Sequence, residues 1–178
     1  MAASNKWLMS SVAYYLDFFT APLFVVLALC IAPFHPGQAL AGLLGWSLVE
    51  YSMHRFLFHS LYRREHWTHH RDVLAYIGIS GWKTSSGYAG LLSLAWLTGL
   101  TSAFAGLVVG YFCYISLHYV IHRPQHWAYR FIPGLVANHD LHHCKGIEKN
   151  FGVSSPLWDH VFRTHVRIEA LSKVEERG

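Results

Sequence analysis

The chain has 178 residues, room for one compact domain and too few for two. Only 13% are Asp, Glu, Lys or Arg, against roughly 25% in an ordinary soluble domain, while 53% are hydrophobic and mean hydropathy is +0.24. Charge this sparse excludes a water-soluble globule, and 16% aromatic residues exclude a disordered chain.

In chain order, Phe18 to Val49 and Thr84 to His122 hold no Asp, Glu, Lys or Arg. At the helical rise these blocks run ~48 and ~58 Å, well beyond a hydrocarbon core of ~30 Å, so each is predicted to be a helical hairpin. Pro33, His35, Pro36 and Gly37 break the first block, and Gly99, Thr101 and Ser102 the second. Four spans follow, at 12–33, 37–58, 86–100 and 102–122, the third short enough to tilt, kink or re-enter. Trp7 to Leu16 either lies in the membrane interface or forms the first turns of span one. Apart from Lys6, the basic residues fall in 55–83 or 123–177, which places the termini and the central segment on the cytoplasmic side. No cleavable signal is expected, because Asp17 and Pro22 stand where a basic n-region and a small-residue cleavage site belong. The expected fold is all-α and integral to the membrane, one domain over 1–178, with two hairpins and a cytoplasmic helical cap.

Cys30, Cys113 and Cys144 are unpatterned, which suggests neither a disulfide framework nor a zinc ribbon. The net charge of +4 suits an anionic lipid surface, and no nucleic-acid motif accompanies it.

Histidine is the anomaly: fourteen, as many as Lys plus Arg. Ten fall in four clusters: His54 and His59 in HRFLFH, His66, His69 and His70 in HWTHH, His118 and His122 in HYVIH, His139, His142 and His143 in HDLHH. Residues three and four apart share a helix face, so each triplet and the 118/122 pair can converge. His54 and His59, five apart, are about 140° out of phase on an ideal helix and either serve different ions or mark a loosened helix. Each cluster lies at the cytoplasmic end of a span or just beyond it. So many imidazoles near a bilayer are costly without partners, whereas neutral imidazole ligates iron, zinc, copper or nickel. Ten ligands suit two ions with about five histidines each and one position open for oxygen. Zinc is expected to fill such sites on purification even where iron is the working ion. Glu50, Glu65, Asp140 and Asp159 flank the clusters as candidate acceptors of the histidines' second N–H. His35, His126, His160 and His165 fall outside the spacing.

In order and spacing the clusters resemble the HxxxxH, HxxHH, HxxxH and HxxHH boxes of the fatty acid hydroxylase and sterol desaturase superfamily of membrane di-iron oxygenases, over about residues 49–164. VEYSMHRFLFH (Val49 to His59) and NFGVSSPLWDHVFRT (Asn150 to Thr164) resemble segments of fatty acid 2-hydroxylases. Leu74 to Trp82 departs from the Pro-rich run of the eukaryotic enzymes, and CYISLH lacks an Asp they carry near the third box. Small carotenoid hydroxylases share the boxes and the length but not the closing element.

The resemblance implies O2-dependent hydroxylation of a fatty acyl or related lipid at a histidine-held di-iron centre, with carotenoid or sterol hydroxylation or desaturation as the alternative within the superfamily. It implies access for the lipid between spans two and four, with Trp46, Tyr51, Phe56, Phe58, Phe112, Tyr114 and Tyr119 as candidate walls. The chain lacks flavin, nicotinamide and iron–sulfur patterns, so electrons are expected from a ferredoxin, or from a b-type cytochrome with its reductase. The donor would dock near Arg63, Arg64, Arg71, Lys145 and Lys149. A histidine-rich metal transporter or store is the reading from another class; transporters place ligands near the bilayer midplane, and here the span centres are apolar.

Overall fold

A computed structural model describes residues 8–76, 78–144 and 148–167, and the ordered elements among them are all helical. They are α1 (Ser11–Ile31), α2 (Pro36–Ser52) running into a π-helix (Met53–Leu61), α3 (Arg63–Arg71), α4 (Gly81–Leu97), α5 (Thr101–Ile121), a 3-10 turn (Tyr129–Phe131), α6 (Pro133–His143) and α7 (Leu157–Val161). Local chemistry sets several of these limits. The Ser10 hydroxyl accepts from Ala13 N at 3.2 Å and starts α1, so Ser11 to Leu16 form its first turns. Pro36 and Pro133 open α2 and α6, where a missing N–H costs nothing. Gly99, at φ +72°, supplies the left-handed turn between α4 and α5.

α5 is the central helix, flanked by α2 on one side and α1 on the other, with α4 packed on α1 and the edge of α5. α1 and α5, 21 residues each, are long and apolar enough to cross a membrane. α2 and α4 have 17 residues each, short of the ~20 a span needs, although the π-helix lengthens α2. Their outward faces are nonetheless apolar: Leu40, Leu44, Leu94 and Leu97 are all exposed, a surface suited to lipid and not to water. Inside the bundle Asp17 of α1 is buried and accepts from the hydroxyls of Thr84 (α4) and Tyr111 (α5), the latter at 2.5 Å, which ties three helices together.

The α2–α5 contact closes the expected lateral access between spans two and four. A Cβ on Gly106 would lie 1.9 Å from Ala39 O, and one on Gly42 1.9 Å from Ala103 O, so the two backbones touch with no room for an acyl chain. Gly106→Ala is expected to push α2 from α5 and cost about 1–3 kcal/mol. A lowered melting temperature of the purified protein checks this.

Candidate metal centre

The histidines gather where α2 and α5 end and α3 and α6 cap the bundle. His54, His59, His66 and His142 form one group, and His69, His122, His139 and His143 a second; in each, the ligand nitrogens all lie within 4.8 Å of one another. His70 joins the first, its Nε2 3.0 Å from His66 Nε2, and His118 the second, its Nε2 3.2 Å from His122 Nε2. The His70 and His143 rings stack at 4.2 Å between the groups. All ten clustered histidines therefore meet, five to a side, while His35, His126, His160 and His165 join neither group.

The pairing of His54 with His59 rests on the π-helix. Its i→i+5 bonds widen the turn, so residues five apart return to nearly the same face. Of the two outcomes the spacing left open, the loosened helix is the one present.

One proton per ring does not satisfy the way these nitrogens meet. His54 Nδ1 lies 2.5 Å from Phe151 O and His142 Nδ1 2.8 Å from Lys149 O, contacts that require the proton on Nδ1. Nε2 of both rings then carries a lone pair. Yet His54 Nε2 stands 3.2 Å from His66 Nε2, and His142 Nε2 3.3 Å from His59 Nε2. In the second group His122 Nε2 lies 3.1 Å from both His69 and His139 Nε2. In the first group His59 and His66 Nε2 are also 3.1 Å apart, so the run His54–His66–His59–His142 has an acceptor at each end and no placement of the ring protons gives every contact a donor and an acceptor, whereas a cation among the nitrogens satisfies all of them. Two nitrogens each ~2.1 Å from one ion, at ligand angles between 90° and tetrahedral, are about 3.0–3.4 Å apart. The donor set fits a metal.

The flanking carboxylates act one layer further out. Asp159, fully buried, accepts from Phe151 N at 2.8 Å, Gly152 N at 2.7 Å and Thr164 Oγ1 at 2.7 Å. Glu50 accepts from Val153 N and Ser154 N, both at 2.8 Å, and from the Ser154 hydroxyl. Together they fix segment 149–154, and its carbonyls, not the carboxylates, receive the histidine N–H groups. Asn150, at φ 55°, closes the segment by exchanging side-chain bonds with the Val166 backbone at 3.0 and 2.7 Å. Among the described residues, neither Glu65 nor Asp140 bonds a histidine. Lys149 and Phe151 work through backbone oxygens, which leave no mark in a sequence. Tyr114, stacked on His118 at 5.9 Å and 7°, carried only the weak signal of an aromatic four residues away.

The fatty acid hydroxylase family model matches residues 39–164, the stretch that carries every element of this centre. The chain belongs to the fatty acid hydroxylase family. It is 31% identical over 150 residues to the fatty acid 2-hydroxylase of Homo sapiens, covering 72% of this chain and 39% of that protein. To the dihydroceramide fatty acyl 2-hydroxylase FAH2 of Arabidopsis thaliana it is 30% identical over 154 residues, covering 74% and 62%. The chain thus spans about two fifths of the mammalian relatives. The solved structure described as full-length scs7p, with only its hydroxylase domain visible, aligns at TM-score 0.66 and 23% identity over 90% of this chain and 68% of its own, which shows a common fold.

In this family member an elongated cavity of about 490 Å³ runs from the histidines into the bundle between α2 and α4, with α5 behind it. His54 and His66 of the first group and His69, His118 and His122 of the second form its inner wall. Trp46, Phe58 and Tyr114 line it as expected. Tyr51, Phe56, Phe112 and Tyr119 do not: Tyr51 is buried against Thr164 and Phe56 faces outward. Leu91, Leu107, Tyr88 and Tyr111, not singled out from the sequence, complete its apolar end.

Burial holds the cap histidines neutral. It pushes His70 down to about 4, His142 to about 3 and His143 to about 2, and sends His66, His69 and His139 well below the ordinary value, with repulsion from neighbouring imidazoles adding to most of these shifts. Below pH ~6.5 the unfolded chain takes up protons that the folded chain refuses, so each group's stabilising effect is complete above that pH and lost as pH falls toward the folded values. The metal-free protein is expected to melt at a steadily lower temperature from pH 7 to pH 5. An unchanged melting temperature would contradict the neutral packing of these rings.

Proposed function

We propose that the chain is a membrane-bound lipid hydroxylase that inserts oxygen from O2 into an acyl C–H bond. The observation that carries this reading is the opening of one apolar cavity onto both histidine groups. His54, His59, His66, His70 and His142 would hold one iron ion, and His69, His118, His122, His139 and His143 the other. Iron there supplies the strong oxidant that an unactivated C–H bond demands and side chains do not provide. The chain's own residues do the rest. Phe151 O and Lys149 O keep the proton of His54 and His142 on Nδ1, which leaves Nε2 free to ligate. Leu91, Leu107, Tyr88 and Tyr111 take the acyl tail and exclude water. The tail enters from the α2–α4 side, where Leu91 is half exposed.

α1, α2 with its π-helix, α4 and α5 cross the bilayer as two hairpins of a single domain, with the cap and the termini in the cytoplasm. The basic residues beyond the spans support that orientation. Arg63, Arg64 and Arg71 are exposed on α3, and Lys149 is partly exposed beside the cap; Lys145 lies outside the described residues. This cationic face would receive an acidic ferredoxin or a b-type cytochrome. Lipid profiles of cells with and without the intact chain, joined to metal content and O2 uptake of the purified protein, test the reading. Hydroxylated acyl lipids and reductant-dependent O2 uptake are expected. Oxidised carotenoids or sterols would redirect the substrate, and metal flux without O2 uptake would overturn the enzyme.

A further inference from the structure

The histidine end of the cavity carries a cation that no carboxylate among the described residues neutralises. α5 ends at Ile121, His122 belongs to the second histidine group, and Arg123 follows it. The Arg123 guanidinium lies over the Tyr119 ring, Cζ 3.6 Å from its centre, and Nη1 donates to Tyr119 O at 3.0 Å. These contacts fix the head, and among the described residues its other donors have no partner. The side chain lines the cavity, and among the described residues no carboxylate pairs with it. Glu65 lines the same cavity without bonding to it, and Glu50 is committed to Val153 and Ser154. Tyr14, in the first turns of α1, lines the same cavity, and its hydroxyl has no partner among the described residues.

Resting on the hydroxylase reading, we propose that Arg123, assisted by the Tyr14 hydroxyl, binds an anionic head on the substrate, a carboxylate or phosphate, and so sets which carbon faces the metals. A guanidinium keeps its charge at any working pH and offers paired N–H groups that match two anionic oxygens. At the edge of a low-dielectric cavity that attraction is screened far less than on an open surface. Position then fixes regiochemistry. Arg123 lines the same cavity as His118 and His122, so a head held at Arg123 keeps the carbons next to it at the histidine end. The far end of the chain lies among Leu91 and Leu107.

Equilibrium binding to the full chain, metal-loaded in phosphatidylcholine nanodiscs, tests the site without turnover. The probe is radiolabelled palmitate, competed by palmitate methyl ester and by hexadecyl phosphate. Palmitate and hexadecyl phosphate are expected to bind at least about tenfold tighter than the ester, and Arg123→Gln to erase that margin while leaving the ester's affinity unchanged. Arg123→Lys should restore part of it, and Tyr14→Phe should cost palmitate about threefold with the ester unaffected. Equal binding of palmitate and ester by the wild type, or a preference that survives Arg123→Gln, overturns the proposal. If phosphatidylglycerol in the discs abolishes the palmitate preference, Arg123 reads membrane phosphate and the substrate-head assignment falls. O2 uptake by the wild type, measured in parallel, separates the two readings. Uptake without the preference fails the head site alone, whereas the preference without uptake fails the hydroxylase alone.

Discussion

His142→Ala is expected to empty the first histidine group of metal and abolish the proposed lipid hydroxylation while the helices stay folded. His142 is fully buried on α6, Nδ1 bonded to Lys149 O and Nε2 3.3 Å from His59 Nε2. Removing the ring deletes one proposed ligand and leaves Lys149 O, which orients that ring, without its partner. Loss of an outer partner alone costs a metal site about 10–100-fold in affinity, so loss of a ligand should cost at least ~100-fold. The second group takes no ligand from His142, so metal analysis after mild chelation should fall from two ions to one. The fold itself should tolerate the change in the absence of metal, because the substitution removes a lone pair that faces others. His165→Ala, outside both groups, serves as the control and should keep both ions and full product. Retention of two ions by His142→Ala would break the assignment of five histidines to each group.

The four helices and the ten converging histidines were legible because both rest on signals that local physics writes into side chains: uncharged stretches longer than a bilayer, and imidazoles at one-turn spacing. Three features were not. The π-helix at Met53–Leu61 has no residue signature, so the His54–His59 spacing stated a conflict without resolving it. Glu50 and Asp159 carried the right signal, an acid beside a histidine, but their oxygens hold backbone amides of a segment about a hundred residues from Glu50 and eight or fewer from Asp159. Which helices leave room for a lipid also depends on pairing. α2 and α5 were natural walls because both end at the histidines, yet Gly42 and Gly106 bring them together so closely that the cavity opens toward α4 instead. Glycines in an apolar helix read equally well as flexibility or as close contact until the partner helix is known.

Asp159→Asn is expected to destabilise the protein strongly, though less than Asp159→Ala, whereas Glu50→Gln is expected to be mild. Both carboxylates bind the same segment, and the contrast lies in how the donors divide between their oxygens. Asp159 Oδ1 takes Phe151 N and Thr164 Oγ1, and Oδ2 takes Gly152 N. An asparagine has one carbonyl oxygen, so its NH2 must face a backbone N–H whichever way it turns. Glu50 takes both backbone donors, Val153 N and Ser154 N, on Oε1, and among the described residues the hydrogen bond to Oε2 comes from the Ser154 hydroxyl, which can rotate to accept from a glutamine NH2. Each buried donor left unpaired costs about 1–3 kcal/mol; Asp159→Asn leaves Gly152 N and its own facing NH2 unpaired, about 2–6 kcal/mol, Asp159→Ala leaves all three donors unpaired, about 3–9, and Glu50→Gln stays below ~1. Ser155 O blocks movement of Gly152 on one side, since a Cβ there would lie 2.1 Å from it. Its release withdraws Phe151 O from His54 and Lys149 O from His142, both in the first group, so the Asp159 variants should lose that ion before the ion of the second group. Chemical denaturation and metal stoichiometry on the same samples read both effects. If Asp159→Asn and Glu50→Gln proved equally mild, the carboxylates would not be what holds the carbonyls against the histidines.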